Sequence, residues 1–168
     1  MNNMLELIVR IVLIGIGATA VMDIVALTAK RLFGIPMSDW AMVGRWIGHF
    51  PQGQFRHASI AKATPVPGES VIGWAAHYFT GIAYAAVLVA IGGTSWLRSP
   101  TPVLALGVGI AMLVAPFFIM QPGMGAGIAA SKTPNPKAAR LRSLMNHVAF
   151  GLGLYLTALV VVHLPLPL

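Results

Sequence analysis

Asp23 is an ionisable residue inside an otherwise apolar run. A charge in such a setting is costly, so it normally faces a bundle interior, finds a partner and marks a functional pathway. Three more polar groups share this kind of setting: His77 and His147 near the starts of two later apolar runs, and Gln121 at the end of another. At a helical rise of about 1.5 Å per residue, Asp23 lies as deep from the end of the first run as His77 lies from the start of the second. Gln121 and His147 stand in the same relation in the third and fourth, so one membrane layer is expected to hold all four side chains.

His77, His147 and Asp23 then form a candidate metal set, two imidazoles and a carboxylate, suited to zinc, iron or copper. Met22, Met120 and Met124 would add thioethers that favour Cu(I). Two histidines at matched depth, each followed one turn later by a glycine, also suit a haem slotted between helices. The same groups can hold a proton or a small solute, or simply hydrogen-bond within a bundle core.

A weak internal repeat runs through these positions. Met22-Asp23 is followed by His77, and Met120-Gln121 by His147; His77 precedes Gly81 and Tyr84, as His147 precedes Gly151 and Tyr155. Each histidine therefore shares a helix face with a small residue that permits close approach.

The elements that must position these groups follow from composition. Of 168 residues, 57% are hydrophobic and 9% charged, against roughly 25% charged in soluble domains, so the chain lacks the polar surface to dissolve. Its apolar runs approach the ~20 residues that cross a bilayer as helix. Four spans are expected, over about 8–30, 71–92, 102–122 and 143–163, within a single membrane domain covering 1–168. Pro116, Pro122 and Gly123 should kink or break the third. Arg10, the apolar stretch after it and Ala18-Thr19-Ala20 resemble a cleavable signal, but apolar sequence continues past Ala20 and completes a whole span. The fold class is thus an all-α integral membrane protein, a four-helix bundle with a long connection between its first two spans.

The net charge of +7 would suggest nucleic acid in a soluble chain. Here the basic residues mark topology instead, and no nucleic-acid partner is expected. Lys30 ends the first span, Arg31, Arg45, Arg56 and Lys62 fall in the connection over 31–70, and Lys132, Lys137, Arg140 and Arg142 in that over 123–142. Both should be cytoplasmic, which places both termini outside in a multi-pass protein of a bacterial inner membrane. The absence of cysteine excludes disulfides, thiolate ligands and iron–sulfur clusters.

In the first connection Trp40, Val43, Arg45, Trp46, Ile47 and Phe50 suit a short interfacial helix or an anchored loop. His49, His57 and Glu69, near Arg45 and Arg56, form a second polar group that would bind an anion or metal if folded over the bundle mouth. Glu69 also suits a helix N-terminus. Gly123 and Gly127 read as a loop or re-entrant turn as readily as a helix-pairing face. No nucleophile elbow, phosphate loop, dinucleotide fingerprint or H-E-x-x-H occurs.

Met22-Asp23, Asp39-Trp40, Gly44-Arg45-Trp46, Phe55-Arg56-His57, Gly68-Glu69, Gly73-Trp74 with His77-Tyr78, Gln121-Pro122-Gly123-Met124-Gly125, His147 and Gly151-Leu152-Gly153-Leu154-Tyr155 together resemble one bacterial membrane family, known as domain of unknown function 2938. The resemblance implies a small polytopic inner-membrane protein and matches His57, Glu69, His77 and His147 to pattern positions. Three functions remain open: an intramembrane site for a proton, metal ion or small solute, with a homo-oligomer expected if it carries cargo; a membrane enzyme or electron-transfer protein with a His-bound metal or haem; or a structural or accessory subunit.

Overall fold

In the computed structural model of the protein, which describes residues 3–164, every regular element is helical. Helix α1 (Asn3–Phe33) is followed by a short α2 (Trp40–Gly48) and by 3₁₀ turns at Phe50–Gln52 and Ile60–Lys62. Then come α3 (Glu69–Arg98), α4 (Pro102–Ala111), the single turn α5 (Gln121–Gly123) and α6 (Pro136–Val161). Four helices are long and apolar enough to cross a membrane: Met4–Phe33, Glu69–Arg98, Pro102–Gly123 and Pro136–Val161.

The helices run beyond the expected spans for local reasons. Asn135 accepts a hydrogen bond from the Ala138 amide and Pro136 occupies the first helical turn, so α6 begins well before residue 143. Lys137, Arg140 and Arg142 therefore ride on its opening turns. Gly92-Gly93 does not end α3; Gly93 adopts φ +67° and bends it. Pro116 interrupts the third long helix through a π turn over Pro116–Met120, in which the Pro116 carbonyl accepts from the Gln121 amide.

Helices α1 and α6 pack along one another, with α3 against α1 and α4 against α6. Glycines set the close crossings. A Cβ on Gly15 would overlap Ile82 of α3, one on Gly109 would meet the His147 carbonyl and Gly151 of α6, and one on Gly153 would press on Ala18 of α1. Ile14, Ala18, Ala85, Leu88 and Leu154 are sealed inside. Outside, Ile24, Phe79, Val103, Phe118 and Val160 are exposed, a surface stable against hydrocarbon rather than water.

The two connections gather at one end of the bundle, called here the loop end. At the opposite end Arg10 is buried, donating to Glu6 Oε1 at 2.8 Å and to the Val161 carbonyl at 2.7 Å. It ties the first turns of α1 to the last turn of α6.

Candidate functional site

Asp23 sits on α1 toward the loop end, and its carboxylate is held by two side chains of α3. His77 Nε2 lies 3.0 Å from Oδ1, and the Tyr78 hydroxyl donates to Oδ2 at 3.2 Å. A carboxylate accepts only, so Nε2 carries the proton of that bond. The His77 side chain is 6% exposed and Asp23 18%, which keeps most water from the pair and strengthens their interaction.

The stage for His77 is built by α2. Asp39 accepts from the Ala41 amide and so caps that helix, which fixes Trp40 in its first turn. Gly44 and Gly73 are where α2 crosses α3: a Cβ on Gly44 would overlap the Glu69 carbonyl oxygen, and one on Gly73 the Trp40 carbonyl oxygen. The two helices run in opposite senses, so Trp40, four residues before Gly44, meets His77, four residues after Gly73. Their rings stack with centroids 3.7 Å apart and planes 19° from parallel. Trp74 closes a second side of the imidazole, edge-on at 5.7 Å.

One turn along the same crossing, Arg45 clasps Glu69 through two parallel hydrogen bonds, Nε to Oε2 at 2.8 Å and Nη2 to Oε1 at 2.7 Å. The Val66 amide also donates to Oε2, and Arg45 Nη1 reaches the Ile60 and Ala63 carbonyls. The contact with Glu69 raises the guanidinium's pKa, so the clasp stays charged. Glu69 thus fastens the first connection to α3; it does not pair with His57, the neighbour with which the sequence grouped it.

The first connection in turn docks on the Gln121–Gly125 segment. The His57 amide donates to the Gly123 carbonyl at 2.8 Å and the Ile60 amide to the Met124 carbonyl at 3.0 Å. Trp46 lies so close to Gly123 that a side chain there would strike its indole, and Gly125, at φ +90°, abuts the Ala58 carbonyl. Both glycines of the Gln121-Pro122-Gly123-Met124-Gly125 run are therefore required by contact. His57 stands beside His49, ring centroids 4.9 Å apart. Burial first, and then the neighbouring His49, hold the His57 imidazole below its usual pKa.

Gln121 and His147 form a separate cluster. Gln121 Nε2 donates to the Ser143 hydroxyl at 3.4 Å, and His147 Nδ1 donates to the Ser143 carbonyl at 3.0 Å. Gln121 Oε1 is buried without a partner. The repeat survives at the level of packing, since Gly81 meets α1 as Gly151 meets α4. It diverges in its polar bonds: the first half joins Asp23 to the histidine itself, the second joins Gln121 to the residue one turn before it.

These positions decide how well the candidate cofactors fit. Among the described residues no hydrogen bond links His147 to Asp23 or His77, and no three His, Asp or Glu side chains group so as to hold a metal. The set His77, His147 and Asp23 is not assembled as ligands. Nor does His77 suit haem, because Nε2 faces a carboxylate and Trp40 covers the ring at stacking distance. Trp40 is the partner that sequence reasoning missed. Its signal was present in paired spacings, Trp40-x-x-x-Gly44 against Gly73-x-x-x-His77, which interlock only when the two helices cross antiparallel.

Fold and site together define a small all-helical protein with four helices suited to a membrane and a buried acid–imidazole pair near the end where its loops gather. The chain belongs to the family described as "Protein of unknown function (DUF2938)", which matches residues 12–161. No curated protein and no solved structure matches it.

Proposed function

We propose that the protein crosses a bacterial inner membrane four times, with its loop end in the cytoplasm, and that Asp23 and His77 bind a proton at that end. The observation that carries this reading is the 3.0 Å contact between His77 Nε2 and Asp23 Oδ1, braced by Tyr78 on the other carboxylate oxygen. A proton taken up by the imidazole gives an imidazolium–carboxylate pair already in hydrogen-bonding geometry, and the π face of Trp40 stacked on the ring favours the cation. The middle of the bundle is filled mainly by apolar side chains, Ile14, Ala18, Leu88 and Leu154 among them, which favours a proton-binding role over a carrier. A metal or haem role draws no support from donors so arranged.

The reading is tested with ¹⁵N-histidine-labelled protein in nanodiscs. One ring signal, absent in His77→Gln, should pass from neutral imidazole to imidazolium as the sample is acidified. Tryptophan emission should be quenched in step, through Trp40, and Asp23→Asn should move the pH at which both occur. A His77 ring that keeps one form throughout the acidification, in parent and variant alike, would overturn the proposal.

Orientation rests on the basic residues of the two connections and is checked by cysteine labelling, which the cysteine-free parent permits. Ala61, Ser131 and Ser99 are exposed. Cysteine placed at 61 or 131 should resist an impermeant reagent in intact cells, while cysteine at 99, between α3 and α4, should react; the opposite pattern would reverse the topology.

A further inference from the structure

The first connection folds around a cleft of about 370 Å³. Apart from Ala58 and Ala63, every side chain that lines it can donate hydrogen bonds or carry positive charge, Arg56, Lys62, His57, Ser59 and Thr64 among them, and no lining residue is acidic. We infer that this cleft is a binding site for a phosphate-bearing anion, separate from the Asp23–His77 pair and independent of its role.

Charge accounting carries the inference. The chain has four acidic residues, and each is engaged elsewhere. Glu6 pairs with Arg10, Asp23 with His77 and Tyr78, Asp39 caps α2, and Glu69 is held by Arg45 and the Val66 amide. Arg56 and Lys62 are left exposed on the cleft without a counter-charge from the described residues. A second observation is independent of charge: His57 Nε2 is buried with no hydrogen-bond partner, and a buried polar atom left so is costly unless something else satisfies it.

The fold holds this arrangement in place. Backbone bonds from His57 and Ile60 to Gly123 and Met124 flank the cleft residues, and Arg45 reaches the carbonyls at Ile60 and Ala63 below them. The donors are therefore preorganised by α2 and the second connection. Two cations, hydroxyls at Ser59 and Thr64 and an imidazole match the several acceptor oxygens of a phosphate group. Its source is either free phosphate or the headgroup of an anionic lipid, since both present the same oxygens.

The test uses ¹⁵N-histidine-labelled full-length protein in nanodiscs and follows the ring signal that is lost in His57→Gln. One arm titrates inorganic phosphate in phosphatidylcholine nanodiscs; the other compares phosphatidylcholine with phosphatidylglycerol nanodiscs without added phosphate. A saturable shift of the His57 signal in the first arm identifies a soluble phosphate, and a shift in the second arm alone identifies a lipid headgroup. Arg56→Gln with Lys62→Gln, exposed side chains that make no hydrogen bond or ion pair among the described residues, should weaken either response about tenfold or more. Lys137→Gln, the loss of one positive charge at the same end, should leave it unchanged. No shift in either arm, or a shift weakened equally by Lys137→Gln, would overturn the site.

Discussion

Arg10→Met is expected to destabilise the protein in detergent by about 3 kcal/mol, because breaking a buried ion pair from one side leaves the other charge uncompensated. Arg10 and Glu6 are only 2% and 9% exposed. Their separate burial would be unfavourable; together, with the Val161 carbonyl as a further acceptor, they form a satisfied group at the end of the α1–α6 contact. The double variant Glu6→Gln with Arg10→Met should recover most of the loss, since it removes the orphaned carboxylate. Denaturant or thermal unfolding in a fixed detergent provides the comparison. A loss below about 0.5 kcal/mol, typical of exposed pairs, would show that water reaches this group freely.

Gly44→Ala should cost about 2 kcal/mol, although helix propensity alone would make alanine better by about 1 kcal/mol. The sign reverses because the new Cβ would overlap the Glu69 carbonyl oxygen, which is backbone and has no rotamer to yield. Moving α2 away from α3 draws Trp40 off His77 and Arg45 off Glu69 together. The variant should therefore lose the Trp40 response to His77 protonation, and the loosened connection should be cut faster by trypsin after Arg56 and Lys62, which are already exposed. Gly107→Ala is the control, for it lies in α4 with nothing near its Cβ direction. It should be neutral or slightly stabilising. Equal behaviour of the two variants would refute the tight crossing.

Much of the fold was legible from residues alone. Four apolar runs and the break around Pro116 follow from length, proline and periodicity, whereas the stretch from Trp40 to Phe50 suited a short helix or an anchored loop equally, and the structure forms the helix. Depth was legible too: helix direction and rise place Asp23 and His77 at one level, and the two do meet. Azimuth was not. His147 has the right distance from its helix end, but the direction it faces depends on α6 packing against both α1 and α4, an arrangement set by glycine contacts spread over the whole chain. Glu69 was read as a helix-start residue grouped with His57, yet its partner is Arg45, because the antiparallel crossing of α2 and α3 brings those two together. Arg10 read as the basic start of a signal-like stretch; only the neighbouring end of α6, with Glu6, shows it as a buried, paired charge.

The pairing of α1 with α6 has a consequence for how the chain assembles. Helix α1 is made first and its main neighbour last, with Arg10 and the Val161 carbonyl 151 residues apart. At about 5–20 residues per second, roughly ten seconds separate their appearance. In the proposed membrane setting, Arg10 would spend that interval without its carbonyl acceptor. Glu6, four residues earlier on the same helix, is present from the start and would neutralise it locally. The ion pair would thus let α1 form as a self-contained unit, and the late arrival of α6 would convert that provisional partnership into the permanent closure of the bundle.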